Sequence, residues 1–193
     1  MPARMRKVRL WDPALRFFHW SLALLVTCAW LLGEFGPDRM TLHFWCGYLV
    51  TGLLVFRLVW GFVGPSSARF SHFLRGPGAV MAYLRTMFRP EPSYWPGHNP
   101  LGALSVIAML AALAAQVTTG LISDPDDFIN VGPLAQYVAA PTRRQAVGWH
   151  EIGGIVILFL VLLHVATILF YRFWKHEDLI RPMLTGVKEL PEE

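Results

Sequence analysis

Charge and cysteine are both scarce in this chain. Of its 193 residues, 16% are charged and 54% are hydrophobic. A soluble domain carries about 25% charged residues, so this composition favours a lipid-embedded protein over a water-soluble one. The two cysteines, Cys28 and Cys46, lie in apolar segments without C-x-x-C spacing, and we expect no structural disulfide. The absence of a C-x-x-C-H motif excludes covalent attachment of a c-type haem.

The chain is rich in long runs of apolar residues. A helix needs about 20 mainly apolar residues to cross a bilayer. Four segments meet this requirement, at 14–33, 41–63, 101–122 and 147–173. A chain of 193 residues is too short to surround four such helices with a polar shell. The sequence therefore predicts an all-α membrane protein, a four-transmembrane-helix bundle forming one domain over 1–193.

The connections between the apolar segments are unequal in length. The segment 64–100 is long and contains apolar residues at helical spacing over 79–89, which predicts a short helix at the membrane surface. The segment 123–146 contains three prolines and forms a second long loop. The basic N-terminus is followed by a long apolar run without a small-residue cleavage pattern, so we expect a retained first helix and not a cleaved signal peptide.

The distribution of basic residues predicts the orientation. With the N-terminus in the cytoplasm, fourteen of the 17 lysines and arginines fall on the cytoplasmic side. Only Arg39, Arg143 and Arg144 fall outside, so both termini should be cytoplasmic. The positive charge is spread over three membrane-flanking regions, which argues against a nucleic-acid partner and leaves the lipid bilayer as the first partner.

Four histidines in the apolar segments form the most informative pattern. His150 and His164 are fourteen residues apart, a step of about 21 Å that returns to within roughly 40° of the same helix face. The predicted topology places His43 at the depth of His150, near the outer side, and His19 at the depth of His164, near the inner side. A neutral imidazole is a common ligand of haem iron. The pattern therefore predicts two bis-histidine haem sites.

Hydrogen bonding between helices, zinc binding and a proton relay are the alternatives to haem ligation by these histidines. A proton relay would need titratable groups between the two pairs, where the apolar segments offer only Gln116 and hydroxyls. A single histidine in a membrane helix is as often a hydrogen-bonding group between helices as a functional one, but four paired by depth favour ligation. A zinc site needs three or four ligands at one point, which two separate pairs do not provide. Gly47, Gly153 and Gly154 lie about one turn after a histidine, and we expect them either to make room for a flat cofactor or to pack helices closely.

Two further groups of residues are candidate parts of the site. Arg57 is the one charge inside the second apolar segment, where it either extends to the membrane surface or binds a propionate of the inner haem. A quinone headgroup needs hydrogen-bond donors near the inner haem. The candidates for that role are His98, Asn99, Ser66 and Arg69.

The chain resembles the bacterial cytochrome b561 family, which is similar to the b-type cytochrome subunit of nickel-iron hydrogenases. The resemblance covers nearly the whole chain. It is carried by VRLWDPALRFFHW (8–20), RLVWGFVGPSSARFSHF (57–73), GHNPLG (97–102), TGLISDPDD (119–127), His150-Glu151, His164 and EDLIRPMLTGVK (177–188). It implies a multi-pass protein of the bacterial inner membrane that binds two haems b through His19, His43, His150 and His164.

The resemblance further implies electron transfer between the quinone pool and a periplasmic redox partner, either a c-type cytochrome or a dehydrogenase or hydrogenase subunit. It leaves a homodimer open. The alternative is an enzyme in its own right, a superoxide:quinone oxidoreductase acting at the outer haem. Few basic residues lie on the outer side to attract that anion, which argues for the electron conduit. A haem-free anchor or transporter is disfavoured, because neither inverted repeats nor broken helices are apparent.

Overall fold

Four long helices dominate the computed structural model, which describes residues 4–36, 40–126 and 129–191. They are α1 (Pro13–Phe35), α2 (Met40–Val63), α5 (Pro100–Ile122) and α6 (Ala140–Phe173). All four are long and apolar enough to cross a membrane, and only 6–17% of the most apolar window of each is buried within the protein. Apolar surface on this scale requires an apolar solvent. The chain is a mostly helical membrane protein with four candidate spans.

The long helices begin and end close to the predicted segments, with one exception. Helix α6 starts at Ala140, seven residues before the predicted boundary at 147. The extra turns carry Arg143 and Arg144, which the apolar pattern could not include. The loop before α6 is correspondingly shorter than predicted and contains a 3-10 turn at Ala135–Tyr137.

The short elements are β1 (Met5–Arg9), α3 (Phe70–Phe73), α4 (Pro77–Leu84), α7 (Ile180–Thr185) and β2 (Val187–Pro191). Helix α4 corresponds to the helix predicted at 79–89 but ends earlier. After it, the Thr86 hydroxyl donates to the carbonyl oxygen of Tyr83 at 3.1 Å, a bond that competes with helix continuation. Pro90 also disfavours a helical conformation at Arg89.

The chain folds into two compact units. The first, here called the terminal unit, contains Met1–His19, Arg57–Ile107 and Leu162–Glu193. The second, here called the central unit, contains Trp20–Phe56 and Ala108–Val161. One histidine pair of the sequence pattern falls in each: His19 and His164 in the terminal unit, His43 and His150 in the central unit.

A two-stranded antiparallel sheet joins the chain ends within the terminal unit. Strand β1 pairs with β2 in a register that runs from Met5 opposite Pro191 to Arg9 opposite Val187. These strands come from opposite ends of the chain, and the sequence pattern did not predict them. The sheet holds the C-terminal segment against the start of α1.

A buried ion pair also anchors the C-terminal segment in the terminal unit. Lys188 Nζ lies 2.7 Å from Glu177 Oε1, and both side chains are at most 7% exposed. Burial alone would raise the pKa of Glu177, but the hydrogen bond and charge of Lys188, with two hydrogen bonds from Ser93, hold it below its ordinary value. The Glu177 carboxylate therefore stays ionised at neutral pH.

Candidate functional site

The central unit brings the rings of His43 and His150 together. Their centroids are 5.9 Å apart and the ring planes are inclined by 78°. Two imidazole nitrogens bound on opposite sides of one metal ion, at about 2.0 Å each, place the ring centroids about 6.4 Å apart. The observed separation is within about 0.5 Å of the distance expected for a bis-imidazole centre.

Backbone carbonyls orient both rings of this pair. The Nδ1 atom of His43 lies 2.8 Å from the carbonyl oxygen of Ala29, and Nδ1 of His150 lies 3.0 Å from that of Gln116. A carbonyl oxygen only accepts, so each ring donates through Nδ1, which in a neutral imidazole leaves the lone pair on Nε2. An outer hydrogen bond of this kind fixes the tautomer and orientation of a metal-binding histidine. In both rings Nε2 is the nitrogen that is not engaged by these backbone carbonyls.

Two glycines let these rings lie against neighbouring helices. A Cβ on Gly120 would lie 2.8 Å from Cε1 of His150, closer than side chains approach one another. A Cβ on Gly33 would lie 3.3 Å from Cε1 of His43. Neither glycine was predicted from the sequence as part of the site, although Gly120 stands in the quoted segment TGLISDPDD.

A cavity of about 670 Å³ surrounds the pair and is lined by residues of the central unit alone. Cofactor pockets are typically about 300–1,000 Å³. Gly47 and Gly154 line it, in agreement with the room for a cofactor expected from the sequence. Gly153 has a different role, because a Cβ there would collide with the side-chain oxygen of Gln116. The cavity can therefore hold a flat cofactor beside the histidine pair.

The terminal unit brings His19 and His164 together in the same way. Their ring centroids are 6.3 Å apart and their planes are inclined by 53°. This separation again matches the roughly 6.4 Å expected for two imidazoles on one ion. Each unit thus contains one pair with the spacing of a bis-imidazole centre.

Arg57 is buried in the terminal unit and does not extend to the surface. It is 3% exposed, and its guanidinium carbon lies 4.5 Å from the centroid of the Phe70 ring. Its Nη1 atom is buried and has no hydrogen-bond partner among the described residues. A buried cation is costly unless it is paired. The side chain therefore does not extend to water, and the negative charge of Asp12, in the same unit, acts on it.

His98 is packed between two aromatic rings in the same unit. Its centroid lies 4.9 Å from that of Trp11 and 5.0 Å from that of Phe73. Burial, followed by the charge of Arg57, lowers the pKa of His98 to about 4, so the ring is neutral near pH 7. Its Nδ1 atom, like Nη1 of Arg57 and Nε of Arg16, is buried without a hydrogen-bond partner in the described part of the chain. Such atoms can form hydrogen bonds with a bound polar group or with water.

The other three residues of the candidate quinone site have different surroundings from those of His98. Asn99 caps α5, since its Oδ1 accepts from the backbone N–H of Gly102 at 2.7 Å and its Nδ2 donates to the Tyr171 hydroxyl at 2.7 Å. Ser66 and Arg69 are exposed, and Arg69 donates from Nε to the carbonyl oxygen of Gly64 at 2.6 Å. Across 4–36, 40–126 and 129–191, neither side chain is hydrogen-bonded to His98 or Asn99.

Four apolar spans and two half-buried histidine pairs define a multi-pass membrane protein of the cytochrome type. The family model of prokaryotic cytochrome b561 matches residues 10–186, and the chain belongs to this family. No curated protein gives a significant match. Members of the family bind haem b, and the chain is accordingly a membrane b-type cytochrome that functions in electron transfer.

Proposed function

We propose that this chain is a dihaem cytochrome that carries electrons across the bacterial inner membrane, between the quinone pool and a periplasmic c-type cytochrome, dehydrogenase or hydrogenase subunit. The observation that supports this most strongly is the spacing of the histidine rings, 5.9 Å in one pair and 6.3 Å in the other. Haem b supplies a one-electron ferric–ferrous couple. His43 and His150 are the proposed axial ligands of the outer haem, and His19 and His164 those of the inner haem.

The buried donors of the terminal unit support the inner haem site. A propionate is an anion with several acceptor positions, which suits the buried guanidinium of Arg57. Arg57 therefore holds and neutralises a propionate, and the unpartnered Nη1 atom is the observation behind this assignment. The cytoplasmic location of both termini rests on the distribution of basic residues.

Quinone exchange is proposed beside the inner pair, at His98, Asn99, Ser66 and Arg69. We propose unequal roles for these four residues. The amide of Asn99 is hydrogen-bonded at both ends, to Gly102 and Tyr171, so this residue holds the start of α5 directly after His98. The exposed side chains of Ser66 and Arg69 are the ones available to donate to a headgroup carbonyl.

The charges near the proposed outer side favour a docking partner over superoxide. Arg143 lies 3.3 Å from a carboxylate oxygen of Asp124, and Arg144 lies 2.9 Å from one of Asp126. The third basic residue of this side, Arg39, and the carboxylates of Asp38 and Asp127 lie outside the described residues. Paired arginines contribute little field to attract an anion. Electron exchange with a basic partner surface is therefore preferred to superoxide oxidation.

The haem content of the purified chain tests this function directly. We expect about two haems b per chain when the haemochrome absorbance is divided by the protein concentration from amino-acid analysis. A quinol should reduce the bound haem, and an added c-type cytochrome should reoxidise it. A folded preparation that saturates at one haem, or that quinol does not reduce, would contradict the proposal.

Glycine 120 offers a finer test of the outer site. In Gly120→Ala, the new methyl group would displace the His150 ring, so we expect loss of most of the outer haem with the inner haem retained. Gly148→Ala is the matched control, because a Cβ on this α6 residue of the central unit meets nothing within 4 Å. The measurement is the haem-to-protein ratio with a redox titration of both variants. Equal haem content in the two variants would show that close packing at Gly120 does not position His150.

A further inference from the structure

A second cavity, here called the Lys175 cavity, lies within the terminal unit and has a volume of about 510 Å³. Its walls come from α4, the segment that follows α4, and Lys175 just after α6. The lining includes the charged residues Arg89, Glu91 and Lys175 and the apolar residues Ala79 and Ala82 of α4. Neither histidine pair lines it, and the proposed haem and quinone sites do not account for it.

Lys175 is the unusual member of this lining. It is 3% exposed, although lysine is almost never buried without a paired charge. Its ammonium donates to the carbonyl oxygens of Arg89, at 3.0 Å, and Met87, at 3.5 Å. Lysine has three N–H donors, so one remains for another acceptor.

No carboxylate in the described part of the chain lies within 4 Å of the Lys175 ammonium. Glu177 follows it closely in sequence, but its oxygens bind Lys188 and Ser93. Two carbonyl dipoles reduce the cost of burying the ammonium without neutralising its charge. The cavity beside Lys175 is therefore suited to an anion.

The remaining charged lining residues agree with this conclusion. Arg89 adds a second cation, and Glu91 is the one carboxylate among the residues that line the cavity. The lining thus carries a net charge of +1, from two cations and one anion. An exposed guanidinium and a buried ammonium together match the oxygens of a phosphate group.

We propose that the Lys175 cavity binds the phosphate headgroup of an anionic membrane lipid. Lys175 follows the last residue of α6 by two positions, so it stands where a membrane-spanning helix leaves the apolar layer. The phosphate groups of lipids occupy that level, and basic pockets there bind anionic headgroups. The alanines of α4 provide apolar contact for the part of the lipid next to the phosphate. The bound lipid neutralises Lys175 and ties α4 to the end of α6.

A thermal titration of the full haem-loaded protein in neutral detergent tests the proposal. Short-chain phosphatidylglycerol should raise the Tm, followed by haem absorbance, in a saturable manner. Phosphatidylcholine with the same chains and sodium phosphate at the same concentration are the other two probes, and neither should reproduce the shift. A full shift with phosphatidylcholine would overturn the requirement for an anion. A full shift with sodium phosphate would overturn the lipid assignment in favour of free phosphate.

Three variants link the effect to this cavity. Lys175→Gln should raise the phosphatidylglycerol concentration at half-saturation by about tenfold, through loss of one charge-assisted hydrogen bond. Arg89→Gln leaves Lys175 and its backbone partners in place and should weaken binding by a few-fold, which keeps the test decisive if Lys175→Gln does not fold. Arg172→Gln removes the same charge from a half-exposed position paired with Asp178 and should bind as the wild type does. Equal weakening in Arg89→Gln and Arg172→Gln would indicate general charge attraction and refute the site.

Discussion

Replacing His150 with alanine is expected to lower the haem content from about two to about one per chain. His43 would remain with its Nδ1 bond to Ala29, but one imidazole cannot complete a bis-histidine centre. The inner pair lies in the other compact unit and should keep its haem. The haem-to-protein ratio measures the loss. A redox titration should show two redox components, one for each haem, in the wild type and one in the variant.

The same experiment on other histidines identifies the pairs. His43→Ala should give the same remaining component as His150→Ala, whereas His19→Ala and His164→Ala should remove the other one. His72→Ala is the matched control, because this histidine is exposed and should leave both components unchanged. Helical content by circular dichroism separates haem loss from unfolding. Retention of both haems in folded His150→Ala would refute the assignment.

Replacing Arg57 with glutamine is expected to lower the midpoint potential of the inner haem by roughly 60 mV, a tenfold change in a one-electron equilibrium. The ferric haem carries one more positive charge than the ferrous haem, so a nearby buried cation favours the ferrous form. Arg57 is 3% exposed, and water screens its charge little. A redox titration followed at the haem absorbance bands measures the change, and the outer component should not move.

Two further variants show whether charge or packing is responsible. Arg57→Lys keeps the charge, although it loses contact with the Phe70 ring, and should restore most of the potential. Arg75→Gln removes an exposed arginine from the same unit and should leave the potential unchanged. An unchanged inner potential in Arg57→Gln would show that the guanidinium does not face the haem.

The four membrane spans could be predicted from the sequence because the thickness of the bilayer fixes how long an apolar run must be. The start of α6 could not be predicted in this way, since its first turns are polar and contain Arg143 and Arg144. The pairing of β1 with β2 could not be predicted from the sequence either. Each strand is five residues long, and their register depends on contacts between opposite ends of the chain.

The candidate site also contains features that the sequence predicted and features that it could not predict. Helix periodicity and the distribution of basic residues placed the four histidines in two pairs by depth. The residues around Arg57 in the sequence did not show whether its side chain is buried or extends to the surface. The environment of this flexible side chain depends on residues from other segments that pack beside it. The burial of His98 between Trp11 and Phe73 likewise depends on residues from separate parts of the chain.

The sequence by itself determined that the chain spans a membrane, because the length of an apolar run along a single helix decides this, and it predicted which histidines form pairs. Only the tertiary structure decided how those histidines are held. The Nδ1 partner of His43 is fourteen residues away on α1, and that of His150 is 34 residues away on α5. Tautomer and ring orientation are set by these contacts between helices, which no single segment encodes.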